Sequence, residues 1–203
     1  MKYTDPDYDP RIAFFDERAE TWEERCYPPE ARIRLQELIA HFGISSGQDI
    51  LDLGCGCGIL GPYVRPLMGE EARLLAADIS RAMLRMAATK HEYTMCLHAS
   101  AMDLSLPDAH VDKVLCFAAF PHFSDKTRAL AEIYRVLRQG GSLVIAHLLS
   151  REELAQHHGG KSAVASDALP DDAAMRALLS QTGFSEVTII DLPGRYLASA
   201  KKE

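Results

Sequence analysis

Basic clusters are the first thing missing from this 203-residue chain, whose 22 Lys and Arg stand against 29 Asp and Glu for a formal net charge of −7. A surface of that sign repels a phosphate backbone, and the pair Lys201-Lys202 reads as a solvated tail. No nucleic-acid partner is expected. Also missing is any apolar run near the ~20 residues that a bilayer span needs. The opening stretch MKYTDPDYDP is polar and acidic, without the apolar segment of a signal peptide. No membrane partner and a cytoplasmic location are therefore expected. Cys26, Cys55, Cys57, Cys96 and Cys116 are odd in number and contain no C-x-x-C pair, which argues against a disulfide framework or a zinc ribbon. Internal repeats are absent, and so is the Asn/Asp-Pro-Pro-Tyr pattern of nucleic-acid amino methylation.

What remains is ordinary globular material, 47% hydrophobic and 25% charged, of a length that suits one domain over residues 1–203. Ile12, Phe15, Ala19 and Trp22 share a helical face before a break at Tyr27-Pro28-Pro29. A second helix carries Leu35, Leu38, Ile39 and Phe42 and stops at Gly43. Residues 1–46 thus form a helical addition to a core spanning 47–203. In the core, QDILDLG, RLLAADI, YTMCLHA, VDKVLCFAAF and SLVIAHLL read as strands alternating with helices. Pro66 should end or kink the first of these helices, and the one starting at Ser124 should run to Gly140-Gly141. EVTIIDL and RYLASA, split by Pro193-Gly194, read as a closing hairpin. The expectation is an α/β Rossmann-like fold: a mainly parallel sheet, helices on both faces and a C-terminal antiparallel hairpin. Ligands of such sheets bind at the carboxyl ends of the strands.

The stretch DLGCGCGILG lies at such an end. Gly56, Gly58 and Gly61 fit the G-x-G-x-x-G pattern of nicotinamide dinucleotide sites, whereas Asp52, Gly54, Gly56 and Gly58 fit the D-x-G-x-G-x-G pattern of S-adenosylmethionine sites. Glycines serve both, since both need the backbone close to the ligand and a sharp turn into a helix. Asp78, at the end of the next strand, can accept hydrogen bonds from both ribose hydroxyls of either. Asp52 discriminates: a carboxylate repels a pyrophosphate but favours an ammonium and a sulfonium. Cys55 and Cys57 supply small side chains in a tight turn, with no partners for a four-ligand metal site.

Together ILDLGCGCG, AADIS, SAMDLSLPDAHVDKVL and ALAEIYRVLRQGGSLVIAHL resemble the class I S-adenosylmethionine-dependent methyltransferases in their small-molecule branch. The resemblance covers roughly residues 48 to 150. It implies a seven-stranded sheet, a helical lid, and conversion of S-adenosylmethionine to S-adenosylhomocysteine. It implies too that Asp52, Gly54, Cys55, Gly56 and Gly58 hold the methionine end, that Asp78 binds the ribose, and that Ile79 packs on the adenine. Met102 and Asp103 would meet the adenine edge, and Phe117 would lie beside the cofactor.

For the acceptor, the sequence offers His122, just after the fourth strand, as general base or ligand. His147 ends the fifth strand, and Tyr27 follows the N-terminal helices, where it could face the cleft. If the turn SREELAQ folds back, His147, His122 and one of the pair His157 and His158 could converge, and with Glu152 or Asp167 suit a borderline metal, although no metal motif matches the spacing. A small-molecule methyl acceptor is the leading expectation. An NAD-dependent oxidoreductase, a non-catalytic S-adenosylmethionine-binding module and methylation of a protein side chain stay open at this stage, as does the oligomeric state.

Overall fold

The computed structural model describes residues 9–158, 164 and 167–203. Three helices lead: α1 (Pro10–Asp16), α2 (Ala19–Cys26) and α3 (Pro29–Ile39). The face shared by Ile12, Phe15, Ala19 and Trp22 is divided between α1 and α2, so the single helix expected there is interrupted at Glu17-Arg18. Arg18 is the α2 N-cap residue and brings no side-chain cap. Asp9 starts α1 by accepting a hydrogen bond from the Arg11 backbone, ahead of Pro10, whose ring suits a first turn.

The core then alternates. β1 (Ile50–Leu53), α4 (Gly61–Met68), β2 (Leu74–Asp78), α5 (Arg81–Ala88) and β3 (Met95–His98) come first. β4 (Val111–Phe117), α6 (Lys126–Val136), β5 (Leu137–His147), α7 (Arg151–His158) and α8 (Asp172–Thr182) follow. The chain closes with β6 (Phe184–Leu192) and β7 (Arg195–Lys202). Ser80 caps α5 by accepting from the Met83 N–H, and Gly183 ends α8 in the left-handed conformation. Three boundaries differ from expectation. α3 ends at Ile39, so Phe42 and Gly43 lie beyond it. Pro66 sits inside α4, and α6 ends at Val136, because Leu137 already pairs with Val111 of β4.

The seven strands lie in the order β3-β2-β1-β4-β5-β7-β6. β1 to β5 run parallel, and β7 inserts antiparallel between β5 and β6. Alternation along the strands sorts neighbours onto two faces. Leu51, Val114, Cys116, Leu143, Ile145, Tyr196 and Ala198 pack with α6 and α8 through Leu130, Ile133, Met175 and Leu179. Ile50, Leu74, Leu115, Val144 and Leu197 pack with α3 and α4 through Leu35, Leu38, Val64 and Met68. Both faces are covered, and the carboxyl ends of β1, β2 and β4 open together on one edge beneath α1 and α2.

Candidate active site

The turn after β1 is set by three glycines with positive φ, at +71° for Gly54, +53° for Gly56 and +77° for Gly58. They differ in what surrounds them. A methyl on Gly54 would lie 2.3 Å from Ala119 Cβ, and one on Gly58 would lie 2.9 Å from the Tyr93 ring. A methyl on Gly56 would meet nothing within 4 Å. Gly54 and Gly58 therefore answer to close packing, whereas Gly56 faces open space.

That space is a cavity open to solvent, with about 910 Å³ of free space when its open mouth is counted. Its floor is the glycine loop with Asp78, Ile79 and the stretch Ala99 to Met102. Phe117, Ala118, Ala119, His122 and Phe123 form one wall, and Arg11, Phe15, Trp22, Glu23 and Tyr27 form the roof. Ala118 takes φ +54°, an unfavourable conformation for a residue with a Cβ, just where the chain leaves β4 and turns across the cavity mouth. Tyr27 packs on Phe117 with ring centroids 5.9 Å apart, and burial pushes its hydroxyl pKa upward.

Asp78 Oδ2 accepts from the Gly56 N–H and Oδ1 from the Ser80 N–H, both at 2.8 Å. One lone pair on each oxygen remains for a ligand. Burial pushes its carboxyl pKa up, against those backbone hydrogen bonds. Asp52 is different. It is buried behind the loop and accepts from Tyr93 Oη at 2.6 Å. Burial pushes its carboxyl up to about 7, against the Tyr93 hydrogen bond, with the charge of Asp78 adding to the rise.

On the wall, His122 Nδ1 lies 2.8 Å from Asp167 Oδ2. Burial alone would raise the Asp167 carboxyl, but hydrogen bonds from His122 and Arg11 and their charges outweigh it and hold it below the usual carboxylate range. An ionised carboxylate only accepts, so Nδ1 carries the ring hydrogen and Nε2 is the basic nitrogen. The edge of Phe15 meets the His122 ring at 5.3 Å.

A family profile described as a methyltransferase domain matches residues 51–145. The chain is 31% identical over 158 residues to O-methyltransferase rstn1 of Aspergillus nomiae, covering 72% of this chain and 68% of that one. The chain belongs to the class I S-adenosylmethionine-dependent methyltransferases. It is also 27% identical over 188 residues to the ubiquinone/menaquinone biosynthesis C-methyltransferase UbiE of Cronobacter sakazakii, with 77% of this chain and 74% of that one covered. In fold it matches a methyltransferase from Thermotoga maritima with TM-score 0.73 and 20% identity, over 95% of this chain and 100% of that one. Its cofactor is S-adenosylmethionine, and the nicotinamide reading of the loop is set aside.

Of the residues expected from sequence, Gly54, Cys55, Gly56, Asp78, Ile79, Met102, Phe117, Tyr27 and His122 line the methyltransferase's cavity. Three others expected to hold the cofactor stand off it. Asp52 and Gly58 shape the loop from behind, and Asp103 is exposed, its N–H donating to the Ser100 carbonyl at 3.0 Å. His147 pairs with Tyr196 across β5 and β7 and is not among the lining residues. His157 is exposed on α7, and the side chain of His158 lies outside the described residues. Among the described residues, no group of three His, Cys, Asp or Glu side chains has metal-binding geometry. Sequence reasoning missed Arg11, Phe15 and Glu23 as lining residues. It weighed Asp167 as a metal ligand, not as the partner of His122.

Proposed function

We propose that this methyltransferase acts on a small-molecule acceptor, with His122 taking the acceptor's proton. The observation that carries this reading is the 2.8 Å contact between His122 Nδ1 and Asp167 Oδ2 on the cavity wall. It fixes the ring tautomer, with Nε2 as the basic nitrogen and a carboxylate ready to stabilise the imidazolium. S-adenosylmethionine supplies the electrophilic methyl carbon and leaves as S-adenosylhomocysteine.

Asp78 accepts from the ribose hydroxyls through its remaining lone pairs, and Ile79 and Met102 flank the adenine. Gly54, Cys55 and Gly56 bring their backbone to the methionine end. Open space at Gly56 supports this assignment, because a side chain there would fill the place of the ligand. Phe15, Trp22, Tyr27 and Phe117 exclude water, which favours an in-line displacement. The charged roof residues are already compensated: Glu23 by Lys90 and Arg32, Arg11 by Asp9 and Asp167. That suits a neutral acceptor with a weakly acidic proton.

Two relatives bear names that point to such acceptors, an O-methyltransferase and a C-methyltransferase of quinone biosynthesis. We read residues 1–203 as one functional unit, with 1–46 as a lid on the core at 47–203. We expect it in the cytoplasm, without a nucleic-acid partner. No helix among the described residues is long and apolar enough to cross a membrane.

The test is incubation with methyl-labelled S-adenosylmethionine and, in parallel, a metabolite extract filtered below 1 kDa or the protein fraction of the same lysate, a cut set at roughly the size such cavities admit. Label recovered in small molecules supports the reading. Label confined to the protein fraction overturns it in favour of side-chain methylation.

A further inference from the structure

Arg11 sits in the first turn of α1, 156 residues from Asp167, yet its guanidinium holds that carboxylate at two points. Nη2 lies 2.7 Å from Oδ1 and Nε 3.0 Å from Oδ2. Oδ2 is the same oxygen that accepts from His122 Nδ1. Asp9 closes the other flank, 3.2 Å from Arg11 Nη1. Asp9, Arg11 and His122 all line the cavity, and Asp167 is buried behind them.

A carboxylate behind an imidazole fixes its tautomer and stabilises its cation. A guanidinium on the same carboxylate keeps the orientation and reduces the stabilisation, and it never competes for the proton because it does not titrate. The roof is also fastened towards α5 and to the glycine loop, where Cys57 Sγ lies 3.2 Å from the Ala19 carbonyl. Asp16 accepts from Ser80 Oγ at 2.5 Å and from the Ala82 N–H at 3.2 Å, and Glu23 pairs with Lys90 at 2.5 Å. Arg11, with the Phe15 ring, fastens it to the His122 side. Lifting α1 to exchange a ligand must therefore release Arg11, one of the groups that hold Asp167.

We propose that Arg11 is a positioning residue that couples closure of the α1–α2 roof to the orientation of His122, through their shared partner Asp167. This rests on the reading of His122 as proton acceptor. Among the described residues, the charged groups around the pair include Arg11 and Asp9 from the start of α1 and Lys126 from α6. The Lys126 ammonium is taken up by the carbonyls of Pro121 and Phe123 at 3.0 and 3.2 Å.

The test is histidine ring ¹⁵N NMR on the full chain saturated with S-adenosylhomocysteine, with the His122 signal assigned from His122→Gln. Arg11→Met and Arg11→Lys are compared with the parent, each first checked for an unchanged Tm. In Arg11→Met, the His122 ring signals should change from the single Nδ1–H tautomer to a mixture of the two, because Asp167 is no longer held at two points. Release of S-adenosylhomocysteine should also speed up severalfold. Arg11→Lys should restore part of the tautomer preference but not the release rate, since an ammonium lacks the two-point fork. An unchanged His122 tautomer in Arg11→Met would reduce Arg11 to a pin for α1 and overturn the proposal. If instead His122→Gln still transfers labelled methyl groups into the metabolite extract at the parent rate, the reading of His122 as proton acceptor falls, and the catalytic role of Arg11 with it.

Discussion

Asp167 Oδ2 lies 2.8 Å from His122 Nδ1, joining a loop after α7 to the turn after β4 across 45 residues. Because the carboxylate only accepts, Asp167→Asn breaks the arrangement without much change of volume: its amide can present a donor to Nδ1 and favour the other tautomer. Turnover should fall roughly 10²-fold or more, within the usual contribution of acid–base catalysis, while affinity for S-adenosylhomocysteine changes little. Isothermal titration beside steady-state rates separates the two effects.

Asp78 makes a contrasting prediction. Its oxygens already hold the loop through the Gly56 and Ser80 N–H groups, and each keeps a lone pair for a ribose hydroxyl. Asp78→Ala should weaken S-adenosylmethionine and S-adenosylhomocysteine alike by roughly 10- to 100-fold, the equivalent of one or two hydrogen bonds to a charged group. Loss of one ligand only would point to the methyl or sulfonium and away from the ribose.

The glycines of the loop should separate fold from site. Gly54→Ala drives a methyl to 2.3 Å from Ala119 Cβ. It should cost about 1–3 kcal/mol in overpacking, beyond the strain of its positive φ. Gly56→Ala meets nothing within 4 Å, so its stability cost should stay near the roughly 1–2 kcal/mol of a left-handed residue. Its methyl enters the cavity, however, and cofactor affinity should drop about tenfold or more, the loss of roughly one hydrogen bond. Thermal denaturation with and without S-adenosylhomocysteine reads both.

Asp52 gives a pH prediction for the ligand-free protein. Its folded carboxyl is raised to about 7, above the ordinary value near about 4 in the unfolded chain. Between those values the native state keeps a proton that the unfolded chain has lost. The contribution of Asp52 is therefore fully favourable below about pH 4 and declines as pH rises towards 7. Asp52→Asn, which can still accept from Tyr93, should be more stable than the parent at pH 8 and should converge with it near pH 4.5. Urea unfolding at the two values checks the sign. A parent that outlasts Asp52→Asn at pH 8 would contradict it.

The sheet was legible because its strands are apolar runs with helices of period 3.6 between them, and because Ser80 and Gly183 mark helix ends in the expected way. Pro66 and the end of α6 were not, because local signals there yield to packing in the core and to the pairing of Leu137 with Val111. In the site, Gly54, Gly56 and Asp78 carry local signals and line the cavity. Asp52 was given an electrostatic role on the assumption that it was ionised and exposed to the ligand. Burial takes it behind the loop and raises its carboxyl, while Tyr93, which no local signal announces, donates to it from 41 residues away. Asp167 and Arg11 reach His122 through tertiary folding alone, 45 and 111 residues from it, beyond any periodicity.

The measurement closest to the central claim is single-turnover transfer of labelled methyl groups to the acceptor recovered from the metabolite extract, by the parent and by His122→Gln, with cofactor saturating. The account predicts undiminished cofactor binding and a transfer rate lowered by about 10²- to 10⁴-fold in His122→Gln. A transfer rate equal to the parent's, at equal cofactor occupancy, would contradict it.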